Sequence, residues 1–358
     1  MHSGPSYDGS GLVNLVAEIE LSLIGESPTA GLSESGLVPE AETIVLLLFD
    51  GLGLAQLEHP LAGVFRSSSV ATLQAPFATT TSVSLATVAT GLAPSQHGQI
   101  GHLTWFPDLQ RVVNTLKWVT PSGDHVAYDY AGLLPAPNLW ERLRAEGVEP
   151  ITVQPGDFSG SPMTRATYRG ARFEGAWDAS DLIDATITLA SEPRRFVFGY
   201  VPFVDVAGHV FGQGSDEFAE AVKSAAAIWE GVAAGLAPGT VLLGTADHGL
   251  MEVTEQDKIL VRDSIYDPLR FAGDSRSVHI WGDASLMERL AGHVGGELVD
   301  PLPLLGPTAS DEAISRAGER VLLAPDGKVV VPRGFDKRLR CYHGGLSPEE
   351  VDIPLLVG

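Results

Sequence analysis

The sequence predicts an α/β protein: a three-layer sandwich with a mostly parallel central sheet flanked by helices, plus a small α+β cap insertion. Three observations predict it. Short continuous apolar runs bounded by Gly or Pro recur at Thr43–Phe49, Phe196–Val201 and Thr240–Ala246, as expected of strands buried on both faces of a parallel sheet. Helical patterns alternate with them at Asn138–Glu146, Ser180–Ala190, Asp216–Ala234 and Ala284–Val294, the order that builds strand–helix–strand units. A chain of 358 residues, 44% of them apolar and 19% charged, can bury the core such a sandwich needs.

Residues 1–42 read as an N-terminal extension, Gly/Ser-rich at first, with one amphipathic stretch, Leu12 to Ile24, suited to a docking helix. A core follows over residues 43–249 and resumes over 341–358, where Ile353–Val357 is placed to return to the main sheet. Residues 250–340 differ in character. Pro and Gly punctuate short runs there, including Ser277–Trp281, Val321–Leu323 and Lys328–Val331, with a helix between. We read them as a cap beside the active site.

Bulk properties exclude several classes of function. The formal net charge of −22 argues against a nucleic-acid groove, which needs clustered Lys and Arg. No apolar run approaches the roughly 18–20 residues of a membrane helix, so no membrane partner is expected. Residues 1–10 lack the basic and apolar regions of a signal peptide. A single cysteine, Cys341, excludes an internal disulfide framework and points to the cytoplasm.

In open α/β sheets ligands bind beyond the carboxyl ends of the strands, so the residues following each strand carry the information. After Thr43–Phe49 comes Asp50-Gly51. After Phe196–Val201 comes Asp205, then His209 four residues later. After Thr240–Ala246 comes Asp247-His248-Gly249, and His343 precedes the final strand. Each has a bland alternative: Asp-Gly is often a turn, and Asp205 with His209 can be a solvated pair, with Gly208 and Gly212 arguing against a long helix there. Gly51-Leu52-Gly53 mimics a dinucleotide loop, but its third glycine and its ribose-binding acid are missing. Three carboxylates and three imidazoles at strand ends are nonetheless hard to explain as surface decoration. They suffice for two divalent cations, and mixed Asp/His ligation without thiolate suits zinc, with manganese as the alternative.

Between the first two groups lies the hydroxyl-rich run Thr79-Thr80-Thr81-Ser82, opening a helix-like pattern. A hydroxyl at a helix N-terminus meets free N–H groups and a dipole that favours a phosphoryl group, although N-capping alone would also place threonine there. With these pieces in order, the sequence resembles the alkaline phosphatase superfamily, and within it the nucleotide pyrophosphatase/phosphodiesterase branch. The matching motifs are Asp50-Gly51, Thr81 with Thr90-Gly91-Leu92, His97-Gly98, Asp205 with His209, Asp247-His248-Gly249 and His343-Gly344.

The resemblance implies that Asp50, Asp247, His248 and the Thr81 hydroxyl hold one metal, while Asp205, His209 and His343 hold the other. It implies that Thr81 is the nucleophile, with Thr79 and Thr80 as fallbacks, and that the product of attack is a phosphothreonine. A small phosphate ester or nucleotide is the implied substrate. The branch carries an asparagine after the His-Gly motif to contact a phosphate oxygen; this chain has His102, expected to bind substrate in its place. A phosphomonoesterase on the same metals is the alternative, and a degenerate metal-binding interaction module a third reading. Trp105 and Phe106 are candidates for stacking on a base, with apolar packing as the ordinary role.

Overall fold

Strand Thr43–Phe49 is buried along its whole length, which only a place in the middle of a covered sheet can provide. The computed structural model describes residues 4–358. It sets this strand fourth in a seven-stranded sheet ordered Ser69–Gln74, Asp352–Val357, Thr240–Thr245, Thr43–Phe49, Arg195–Val201, Glu149–Pro155, Arg172–Ala176. The central pairs are parallel. Only Asp352–Val357 runs against its neighbours, antiparallel to both.

The flanking helices form two groups. Leu12–Ile24, Thr81–Thr90 and Leu139–Ala145 pack together, as do Ala179–Ala190, Phe203–Phe211 and Asp216–Gly235. The docking helix expected near the N-terminus is therefore part of the main core, with Leu12, Leu15 and Ile19 fully buried. Its Glu20, also buried, takes a two-pronged ion pair from Arg142 at 2.6 and 2.9 Å. That fork fastens Leu12–Ile24 to the neighbouring helix.

A second, antiparallel sheet stands beside the first, ordered Glu297–Val299, Arg320–Leu323, Ser277–Trp281, Arg270–Gly273, Leu103–Phe106, Arg111–Asn114. Helix Ala284–Val294 covers it through Met287 and Leu290, which pack with Val278, Ile280 and Leu322. Here the structure departs from the expected cap of residues 250–340. The hairpin Leu103–Phe106/Arg111–Asn114, read as core, supplies two of the six strands, joined through the bridge Gly273↔Leu103. Among the described residues, no helix is long and apolar enough to cross a membrane.

Candidate active site

Register brings the strand ends together. Phe49 pairs with Val201, and Leu48 with Thr245, so three adjacent strands release the chain at one level. The residues that follow are Asp50, Pro202 and Ala246-Asp247. Asp50 N–H donates to Val201 O, and Asp205 N–H donates to Asp50 O, each at 3.0 Å. Gly51 N–H and His248 N–H both donate to Asp247 Oδ1 at 3.0 Å.

Asp205 and His209 share one face of the helix Phe203–Phe211, with His209 Nε2 3.3 Å from Asp205 Oδ2. Gly208 does not prevent this helix. A Cβ there would lie 2.6 Å from Leu250 Cδ1, so the missing side chain leaves room for Leu250 against the helix. Gly212 ends the helix at φ 89°. His343 arrives from the other direction: Cys341–Tyr342 pairs with Met251–Glu252, and the His343 ring stacks on His248 at 3.8 Å between centroids.

The six ligand candidates fall into two groups, Asp50 with Asp247 and His248, and Asp205 with His209 and His343. In the first, His248 Nε2 is 3.6 Å from Asp50 Oδ1 and 3.3 Å from Asp247 Oδ2. In the second, His343 Nε2 is 3.2 Å from His209 Nε2 and 3.8 Å from Asp205 Oδ1. Ligand atoms bonded tetrahedrally at about 2.1 Å stand about 3.4 Å apart, so both groups have the spacing of a cation site. Each imidazole also turns its Nδ1–H to a backbone carbonyl: His209 to Cys341 at 2.7 Å, His248 to Gly249 at 3.1 Å and His343 to Thr79 at 2.9 Å. Every Nε2 lone pair is thereby left for the centre.

Two buried oxygens, Asp247 Oδ2 and Asp205 Oδ1, have no hydrogen-bond donor. Burial and the neighbouring carboxylates push the Asp50 acid well up, and burial raises that of Asp205 against the opposing effect of His209 and His248. Burial, with His248 and His209 beside it, pushes His343 down. Such a cluster is electrostatically incomplete without positive charge. Two divalent cations fit it.

Thr81 is the first residue of the helix Thr81–Thr90. Its Oγ1 lies 3.5 Å from Asp50 Oδ1 and 3.3 Å from His248 Nε2. The other hydroxyls are committed elsewhere. Thr79 Oγ1 donates to Gly345 O and accepts from Gly344 N–H, both at 3.0 Å, and the Thr80 hydroxyl stands near the Asp274 carboxyl. A pocket of about 860 Å³ opens over the cluster, lined by Thr81, His102, Asp205, His209 and His343. Arg262, Asp274, Ser275 and Arg338 come to it from the residues read as a cap.

His102 lines this pocket with its Nε2 3.0 Å from Asn114 Nδ2. Burial, with His209 and Lys117 nearby, holds its pKa down at about 4. Trp105 and Phe106 take the packing role instead. The Arg270 guanidinium lies 3.6 Å over the Trp105 ring, and Phe106 packs among Trp118 and Tyr128. Three site residues escaped the sequence reading. Tyr200 donates its hydroxyl to Asp50 Oδ2, Asp274 accepts the His102 N–H at 3.2 Å, and Asn114 bonds His102. Tyr200 sits inside an apolar strand, and the other two depend on hairpin and loop contacts, so no local pattern marks them.

Known proteins share this fold. The fold matches murine ectonucleotide pyrophosphatase/phosphodiesterase 5 at 16% identity and TM-score 0.64, covering 88% of this chain and 87% of that one. A structure of that murine protein as an inactive threonine-to-alanine variant with AMP matches at 15% identity and TM-score 0.62, with the same coverage. Phosphonoacetate hydrolase from Sinorhizobium meliloti, in complex with phosphonoformate, matches at 17% identity and TM-score 0.65, covering 89% of this chain and 91% of that one. No curated protein sequence matches the chain. The family model for type I phosphodiesterase/nucleotide pyrophosphatase matches residues 44–298, a stretch that holds Thr81 and five of the six clustered Asp and His residues. With that match the chain belongs to the type I phosphodiesterase/nucleotide pyrophosphatase family, metal-dependent phosphoester hydrolases of the alkaline phosphatase superfamily.

Proposed function

We propose that the enzyme hydrolyses phosphate diesters and nucleotide pyrophosphates through a covalent phosphothreonine on Thr81. The observation that carries this is the aim of one hydroxyl. Of three consecutive threonines, only Thr81 turns its Oγ1 to the buried carboxylates and imidazoles, at 3.5 and 3.3 Å. The first cation would be held by Asp50, Asp247, His248 and the Thr81 hydroxyl, the second by Asp205, His209 and His343. We assign zinc to both, with manganese as the alternative, because the donors are carboxylate and imidazole. When bound, the pair would lower the pKa of the Thr81 hydroxyl and neutralise charge on the attacking and departing oxygens.

The chain's own residues do the rest. The helix Thr81–Thr90 sets its positive end at the phosphoryl group. Tyr200 and the Gly51 and His248 N–H groups fix the carboxylates of Asp50 and Asp247. His102, on the pocket wall, is the phosphate-oxygen contact. As the Thr81 Oγ1–phosphorus bond forms, the ester bond to the departing alcohol breaks; water then cleaves the phosphothreonine and returns the hydroxyl. We retain residues 250–340 as a cap, now joined by the hairpin Leu103–Phe106/Arg111–Asn114.

Metal-loaded enzyme should prefer bis(p-nitrophenyl) phosphate to p-nitrophenyl phosphate by at least about tenfold in kcat/KM, equivalent to about 1.4 kcal/mol in the barrier. A preference for the monoester would replace this reading with that of a phosphomonoesterase.

A further inference from the structure

Asn114 uses all of its polar atoms. Its backbone N–H donates to Val119 O at 2.8 Å, and its backbone carbonyl accepts from Trp118 N–H at 2.7 Å. Its side-chain Oδ1 accepts the N–H groups of Leu116 and Lys117, each at 3.1 Å. That double acceptance fixes the amide, because turning it over would set an NH₂ group against two N–H donors. Nδ2 therefore faces His102 Nε2 at 3.0 Å. An amide nitrogen only donates, so Nε2 accepts and the ring proton resides on Nδ1. Nδ1 has no partner among the described residues, and the ring borders the pocket that contains Thr81.

We propose that Asn114 is a positioning residue that locks His102 in its Nδ1–H tautomer, so that a neutral donor is presented to a phosphoryl oxygen of the substrate. The proposal rests on the reading of His102 as a phosphate contact. It accounts for a histidine standing where the resemblance expects asparagine: a neutral imidazole held this way offers one N–H, as an amide does. Burial keeps the ring uncharged at neutral pH.

The deciding variant is Asn114→Asp. A carboxylate keeps the acceptor for Leu116 and Lys117 but meets Nε2 with a second acceptor, which draws a proton onto Nε2. In ¹⁵N-histidine-labelled, zinc-loaded enzyme, long-range ¹H–¹⁵N spectra should show His102, identified by its loss in His102→Asn, as the Nδ1–H tautomer. Asn114→Asp should protonate Nε2 and lower kcat/KM for bis(p-nitrophenyl) phosphate about tenfold. In the His102→Asn background the same substitution should change it less than twofold.

A wild-type ring protonated on Nε2 alone would overturn the proposal. So would an equal loss in both backgrounds, which would mark Asn114 as a structural support. The wild-type spectrum decides the tautomer even if Asn114→Asp fails to fold. Wild-type enzyme inactive on both esters would overturn the hydrolase reading instead, which the spectrum does not touch.

Discussion

Thr79, Thr80 and Thr81 are chemically identical, and their separate tasks come from what each hydroxyl faces. Thr79 latches the His343-Gly344-Gly345 loop, Thr80 stands near Asp274, and Thr81 points at the carboxylates. Thr81→Ala should lower turnover by about three orders of magnitude or more while elemental analysis finds the metal retained; activity near wild type would move the nucleophile elsewhere. Asp274 gives a second test. Burial raises its pKa to about 7, against the opposing hydrogen bond from the His102 N–H and the influence of the nearby Thr80 hydroxyl. A carboxyl raised in the folded state contributes stability that is fully present below its unfolded pKa of about 4 and is lost as pH rises through the folded value. Asp274→Asn should therefore gain on wild type between about pH 4 and 7, by at most about 1.4 kcal/mol per pH unit, and level off above. Urea unfolding of both proteins across that range checks it; a constant difference would show that Asp274 ionises without penalty. The six ligand candidates were legible in the sequence because each follows or precedes a strand. Which threonine to propose as nucleophile could be read from the sequence only through the family motif, since a hydroxyl's direction depends on contacts more than 200 residues distant, such as Thr79 with Gly345.

Elements place these groups by close approach. Gly51 adopts φ +73°, and a Cβ there would lie 2.9 Å from Asp205 Cα, so the loop after one strand rests directly on the start of the helix after another. The His343 loop is held from behind by a buried pair. Arg276 Nε donates to Glu350 Oε2 at 3.0 Å, while Glu350 Oε1 accepts Gly345 N–H at 2.8 Å. Arg276 stands just before the strand Ser277–Trp281 of the second sheet, so this pair couples the two sheets. Glu350→Ala would strand a buried guanidinium and should cost about 3–5 kcal/mol of stability, measured by chemical unfolding. Replacing both partners with apolar residues should cost less; an equal or greater cost would assign the effect to the lost Gly345 contact. The strands Thr43–Phe49, Arg195–Val201 and Thr240–Thr245 and the helices Leu139–Ala145, Ala179–Ala190, Asp216–Gly235 and Ala284–Val294 were legible to within a residue or two because their apolar periods are unambiguous; the parallel strands Glu149–Pro155 and Arg172–Ala176 were not, being interrupted by polar residues. The six-stranded second sheet was not, because its members come from either side of the core strands and a short antiparallel strand such as Leu103–Phe106 has no signature of its partner.

At the scale of the whole molecule, a net charge of −22 coexists with a pocket for anions. The two buried groups of carboxylates and imidazoles resolve this only with cations bound, so metal and stability are linked. Each cation present at 100 times its dissociation constant should add about 2.7 kcal/mol to the unfolding free energy, and a chelator should lower the melting temperature; zinc returned after chelation should restore it. A melting temperature indifferent to chelator and metal alike would contradict a structural linkage at these sites. The strand Asp352–Val357 has one further consequence, in the order of events during synthesis. It lies between Ser69–Gln74 and Thr240–Thr245, so the sheet keeps an open slot until residue 357 has left the ribosome. His343 emerges just before it. On the proposed assignment of His343 to the second cation, the nascent protein holds five of the six clustered Asp and His residues while the sheet is still open, and the last of them arrives together with the strand that seals the core.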